Sequence, residues 1–191
     1  MKTVLSIALL FLSLTGLAQI NFEQGYFIDN NGKRTDCLIR NIAWKDNPVE
    51  FEYKLSEAGE SKLARIKEVS EFNVNGYKFR RFNLKIERSS NTSNKLDTKR
   101  ELDWQNETLF LKTLVEGKAS LYQYEESNLI KYFYSVGDHT KAEQLIFKEY
   151  TVGSVIAENS QIRQQLYTDM KDQITSMYRY EKLKYRKDSL V

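Results

Sequence analysis

Catalysis by a protein chain usually draws on histidine, cysteine or converging carboxylates, and this sequence is poor in the first two. It holds one histidine, His139, and one cysteine, Cys37. A hydrolytic triad needs a nucleophile, a base and an orienting acid brought together. His139 offers a base, but no G-x-S-x-G elbow accompanies it. A structural zinc site takes about four nitrogen or sulfur ligands, more than one His and one Cys supply. Gly32-Lys33 runs into Arg34, and Gly117-Lys118 into Ala119, neither with a glycine five residues earlier, so no phosphate-cradling P-loop is present. The dinucleotide fingerprint G-x-G-x-x-G is absent as well. Glu50 and Glu52 could mimic a glycosidase pair, but they alternate with apolar residues and read as the wet side of a strand. The sequence therefore nominates no catalytic, cofactor-binding or metal-binding residue, and no enzyme or cofactor is expected.

Two groups of cations remain as candidate anion or partner contacts. Arg80-Arg81 interrupts a strand-like run. Tyr77 and Phe79 lie in one phase and Phe82, Leu84 and Ile86 in the other. A β-bulge at the two arginines would bring both sets to one face, leaving two solvated cations; an anion site is the sharper reading. Near the C-terminus, Arg179, Lys182, Lys184, Arg186 and Lys187 stand among Tyr178, Tyr180 and Tyr185. Basic residues interleaved with aromatics can bind nucleic acid, but an exported chain rarely meets it, so no nucleic-acid partner is expected. Anionic lipid head groups fit better, and a solvated tail is the plainest reading.

The elements that position these residues are mostly strands. Glu107 to Val136 holds three runs rich in Leu, Val, Ile, Phe and Tyr, broken at Glu116-Gly117-Lys118 and at Glu125 to Asn128, the pattern of an antiparallel meander. Upstream, Gln24–Asp29 and Lys33–Asn41 flank the turn-forming Asn30-Asn31-Gly32. Val49, Phe51, Tyr53 and Leu55 alternate strictly with Glu50, Glu52 and Lys54, which predicts a half-buried strand. Ser61–Ile66 predicts a returning strand, Lys67–Ser70 a short helical turn, and Asn75-Gly76 a further turn. Ser89 to Glu101 is polar and predicts a long mobile loop. Asp138–Lys141 predicts a turn and Glu143–Tyr150 one more strand. Cys37 lies in phase with Thr35 and Ile39, as a small buried hydrophobe would; an intermolecular disulfide is the alternative. After Ala157 the period changes. Asn159 or Ser160 suits a helix cap, and Ile162, Leu166, Met170, Ile174 and Met177 form one apolar helical stripe.

The expected organisation is a signal peptide over 1–18, an antiparallel β domain over 19–157, a helix over 158–178 and a basic tail over 179–191. The fold expected is mainly β, a sheet, sandwich or partly open barrel of about 8–10 strands closed by one amphipathic helix. Lys2, the uncharged run Val4–Leu14 and the small residues of Thr15-Gly16-Leu17-Ala18 have the layout of a cleaved secretory leader. Eleven helical residues reach about half of a bilayer core, so a membrane span is not expected there. The net charge of +3 is well mixed along the chain, which suits a solvated surface and implies no polyanion partner.

Four stretches carry a resemblance: Gly25–Asn41 (GYFIDNNGKRTDCLIRN), Trp44–Leu55 (WKDNPVEFEYKL), Leu109–Glu125 (LFLKTLVEGKASLYQYE) and Ile162–Leu166 (IRQQL). They resemble a group of Bacteroidetes envelope proteins, in which this region is similar to the soluble part preceding an outer-membrane β-barrel of the porin-like, PorT-like kind. The resemblance implies a periplasmic or outer-membrane location and an envelope protein as partner. No series of ten-residue alternating segments follows Tyr185 here, so insertion of this stretch as a barrel is not expected. The preferred expectation is an exported, non-catalytic interaction module. The alternative is a periplasmic binder of lipid or glycan that uses the aromatic sheet residues Tyr122, Tyr124, Tyr132 and Tyr134.

Overall fold

The computed structural model describes residues 21–90, 95–137 and 140–168. The expected leader, His139, the helix beyond 168 and the basic tail with Lys182, Lys184, Arg186 and Lys187 lie outside the described residues. Turn chemistry sets the first strand boundaries. Gly32 adopts φ 79°, and Asp29 Oδ1 accepts the N–H groups of Asn31 and Lys33 at 2.8 and 2.9 Å. This turn joins β1 (Phe22–Asp29) to β2 (Arg34–Arg40). Asn75 and Gly76, at φ 47° and 81°, join β5 (Val69–Val74) to β6 (Tyr77–Glu87), as expected of a two-residue hairpin loop with both centres left-handed.

Ten strands form one antiparallel sheet curled into a half-barrel. They include β3 (Glu50–Lys54), β4 (Lys62–Arg65), β7 (Trp104–Val115), β8 (Ala119–Glu126), β9 (Leu129–Val136) and β10 (Glu143–Gln144). The order is β10-β9-β8-β7-β6-β5-β1-β2-β3-β4. The chain leaves the outer edge at β4 and re-enters beside β1 as β5. In a flat sheet those two strands would stand four spacings, about 19 Å, apart. The four Cα steps from Arg65 to Val69 reach at most about 15 Å. The short connection therefore requires the sheet to curl. Residues 66–68 form a turn, and β5 begins at Val69, where a helical turn over Lys67–Ser70 was expected.

No bulge interrupts β6 at Arg80-Arg81: its pairing to β7 runs unbroken from Phe79↔Lys112 to Glu87↔Trp104. The phase change has another cause. Successive side chains on a strand point to opposite faces, and here one face is buried at Phe79 and the other from Phe82 to Ile86, against different cores, while Asn83 and Lys85 are exposed. Phe79 belongs to a cluster with Cys37, Ile39, Trp44, Phe51, Phe72, Val74 and Phe110. Phe82, Leu84 and Ile86 belong to a second cluster with Leu109, Leu111, Tyr122, Tyr124 and Phe133. Strand β7 divides its side chains in the same way, Phe110 to one core and its neighbours Leu109 and Leu111 to the other. The first core is aromatic, with Phe72 stacked on Phe79 and Phe51 at centroid distances of 4.8 and 4.4 Å.

The two cores meet at a fork. Strands β7 and β8 pair from Val115↔Leu121, across a register shift, through Thr113↔Tyr122 to Lys112↔Gln123, and part beyond Lys112. Asn47, in the β2–β3 connection, fills the gap. Its Nδ2 donates to Phe110 O (2.7 Å) and Gln123 O (3.0 Å), and its Oδ1 accepts from Glu125 N (2.9 Å). Its backbone N–H donates to Glu125 O.

The segment expected as one strand over Glu143–Tyr150 is two. Strand β10 closes the large sheet; after Leu145-Ile146 the chain turns into β11 (Phe147–Val152), which pairs with β12 (Val155–Ser160) as a separate sheet. The β structure therefore runs three residues past the expected boundary at Ala157. Helical residues begin at 162, and Gln161 O accepts the first i→i+4 bond from Gln165 N. Gln161 takes the capping position expected of Asn159 or Ser160, because both of those belong to β12.

Candidate functional site

The nominated arginines are engaged inside the protein. Arg80 lies directly across from Glu71. Its Nε and Nη2 donate to Glu71 Oε2 at 3.1 and 2.9 Å, and Nη2 reaches Glu116 Oε1 at 3.4 Å. Lys78 Nζ donates to both Glu116 oxygens at 2.9 Å. Burial works against the Arg80 charge, but the hydrogen bond and the carboxylates of Glu71 and Glu116 outweigh it and hold the guanidinium above its ordinary range. Tyr26 donates to Glu71 Oε1 at 2.9 Å, and burial, then Glu71, pushes its phenol up to about 12. Arg81 Nη1 donates to Ile66 O at 2.8 Å and so ties β6 to the β4–β5 turn. Both guanidinium groups, read from the sequence as two solvated cations or alternatively as an anion site, are held by acceptors of the fold itself.

The other sequence candidates are also structural. Glu52 pairs with Arg40 at 2.7 Å, and Glu50 faces Arg65 at 3.7 Å. Cys37 is buried in the first core, and burial, with the Asp36 charge, pushes its thiol up to about 11. Tyr122 is packed on Phe82 and hydrogen-bonded to Ser135, while Arg88 and Glu126 hold the Tyr124 hydroxyl. Tyr134 is buried. Three of the four tyrosines considered for ligand contact thus serve packing. Tyr132 is the exception, 44 % exposed on the outer side of β9.

Tyr132 lines a groove of about 500 Å³ with Ile130, Leu145, Phe147 and Ile162. Each wall has an evident cause. Leu145 N donates to Tyr132 O, which holds the β10–β11 link beside β9. Gln165, one turn into the helix, accepts from Ile146 N at 2.9 Å and donates to Gln144 O at 2.8 Å. It thereby completes the backbone of the sheet's outer edge and sets Ile162 at the groove. The β11–β12 hairpin stands next to it. Lys148, fully buried, anchors its inner face through Asp97 Oδ2 at 3.1 Å and Glu101 O. The backbone N–H of Lys99 and then Lys148 hold the Asp97 carboxyl below its usual range. Thr151 N donates to Asp97 O at 2.8 Å. The described part of the polar stretch expected as a mobile loop is therefore fastened to β11.

Sequence reasoning missed this end of the molecule. The signal was present: Gly153-Ser154 between Val152 and Val155 is a two-residue hairpin loop. Its flanking residues Val152, Val155 and Ile156 are each more than half exposed, so no burial pattern marks them as strand. Among the described residues no three His, Cys, Asp or Glu side chains converge to hold a metal ion. No helix among them is long and apolar enough to cross a membrane, which says nothing of spanning by strands. No protein-family model matches the chain, and neither a curated protein nor a solved structure matches it.

Proposed function

We propose that this chain is an exported, non-catalytic β-rich domain that works as an interaction module in the cell envelope, docking on an outer-membrane or other envelope protein. One contrast in the structure carries the reading. The charged groups a catalytic or anion-binding role would use are held in internal pairs, as at Glu71–Arg80 and Glu87–Lys131. The groove and the hairpin face that carries Phe147 instead leave Ile130, Tyr132 and Ile156 open to solvent. Grouped exposed apolar residues are a usual mark of protein contact. The leader pattern and the envelope resemblance of the sequence supply the location.

The test is a photocrosslinking residue at Tyr132 in cells that make the full chain, followed by fractionation. The expected result is a crosslink to an envelope protein in the membrane or periplasmic fraction. Recovery of the chain solely from the cytosol would overturn the reading. A second reading, a binder of a small apolar ligand such as a lipid acyl chain, rests on the size and lining of the groove. Native mass spectrometry of protein from its own envelope would show a bound mass, lost in Tyr132→Ala, if that reading holds.

A further inference from the structure

Among the described residues, the β11–β12 hairpin has one edge fastened and one edge bare. Thr151 N points away from β12, toward Asp97 O, so the pair Thr151↔Ile156 is one whose backbone groups point outward. The same alternation turns the N–H and C=O of Ile156, Glu158 and Ser160 to the far side of β12. Among the described residues no hydrogen bond reaches those groups. The alternation is checked at the base of the hairpin, where Gln161 N turns inward to Ile146 O. The other outer strands are shorter and partly blunted. Gln165 covers the backbone beside β10. At β4, Glu68 accepts from Arg65 N and donates its own N–H to Arg65 O. Such coverage is how folded proteins manage sheet edges, and none reaches β12 among the described residues.

The side chains on this strand add a charge preference. Glu158 lies directly across from Glu149. Like charges facing each other on one side of a ladder oppose pairing, and neither carboxylate has a cationic partner among the described residues. Both share a face with Phe147, which lines the groove, and with the exposed Ile156. An additional strand with cations opposite the glutamates would complement this edge.

We propose that β12 is a docking edge that takes an extended segment of another protein by β-augmentation, and that this segment carries Lys or Arg at alternate positions with apolar residues between them. The inference rests on the interaction-module reading and names its partner chemistry. Six residues of edge, Val155–Ser160, give a contact about 20 Å long. Main-chain hydrogen bonds supply affinity and the alternating side chains supply the selection.

The probe is a fluorescent seven-residue peptide of alternating Lys and Val, titrated by anisotropy against the full chain, with an Asp–Val peptide as control. The Lys–Val peptide is expected to bind saturably and to lose affinity from 0.15 to 0.5 M salt, and the control is expected not to bind. Ile156→Pro removes an outward N–H without touching the β11 ladder and should weaken binding about two- to tenfold, the loss of one hydrogen bond. Glu158→Lys should reverse the preference toward the Asp–Val peptide. Circular dichroism on both variants checks that the sheet is retained. Unchanged binding to Ile156→Pro would overturn the proposal, since contact would then be by charge alone. So would binding that appears only when residues 178–191 are deleted, because the edge would then belong to the chain's own tail. Failure of the peptide with a persisting envelope crosslink at Tyr132 would sink this inference and leave the broader reading standing.

Discussion

Asn47 is the residue through which the two cores are joined, and replacing it tests whether the fork is held as described. Asn47→Ala removes the donor to Phe110 O and Gln123 O and the acceptor for Glu125 N, three hydrogen bonds in a half-buried gap. At about 0.5–1.5 kcal/mol net for each bond, the loss is about 1.5–4.5 kcal/mol. Asn47→Asp is the sharper perturbation. It has the same shape and keeps the acceptor for Glu125 N, but it aims a carboxylate oxygen at two carbonyl oxygens. At pH 7 its cost should equal or exceed that of Asn47→Ala. The folded state should also raise the pKa of the new carboxyl above the ordinary value of about 3.9. The folded protein then binds more protons than the unfolded chain at intermediate pH, so lowering the pH stabilises it relative to the parent. Urea unfolding of parent, Asn47→Ala and Asn47→Asp at pH 7 and near pH 4 measures all of this. The gap between Asn47→Asp and parent should narrow on acidification, while the gap for Asn47→Ala stays constant. An Asn47→Asp protein as stable as its parent at pH 7, or a gap that widens in acid, would refute the argument.

Three further outcomes are expected. Lys131 and Glu87 form a 2.6 Å ion pair at 3 % and 1 % exposure; Lys131→Met should cost about 3–5 kcal/mol by stranding the carboxylate, and adding Glu87→Gln should recover much of it in a double-mutant cycle, since Gln still accepts from Ser89 N. Gly25 sits in β1 where an added Cβ would stand 2.2 Å from Asn73 O; Gly25→Ala should lower stability by about 1–3 kcal/mol, and a thermal midpoint equal to the parent's would contradict the β1–β5 packing. Tyr26 has a folded pKa near 12 against the ordinary 10.0, so its contribution is complete below pH 10 and is lost as pH rises from 10 to 12; an alkaline unfolding series should show a drop in that window that Tyr26→Phe makes shallower.

The parts of the fold legible in the sequence are those where local chemistry has a single answer. Asn30-Asn31-Gly32 and Asn75-Gly76 tolerate positive φ, and the strict alternation of Phe51 and Tyr53 with Glu50 and Glu52 marks one wet face. Strand β6 has no single answer of that kind. Alternation reports which residues share a face, but not whether the opposite face is also covered. Tyr77 and Phe79 in one phase, followed by Phe82, Leu84 and Ile86 in the other, fit a bulge over one core or a straight strand between two. The structure selects the second, with the change of phase marking where one core hands over to the other. Buried charges obscured the rest. Glu71, Glu87, Lys131 and Lys148 are nearly inaccessible, yet in sequence each reads as a solvated position, because its partner is 9 to 51 residues away. The docking edge is hidden for the opposite reason. Val155 and Ile156 look like core residues, and only their register against Val152 and Thr151 turns the backbone of Ile156 toward solvent. A strand of this kind is costly to leave bare, since an uncovered apolar edge invites uncontrolled pairing. Its own Glu158, with Glu149 across from it, limits that hazard by repelling a second acidic copy, and the same two charges that discourage self-association select a basic partner.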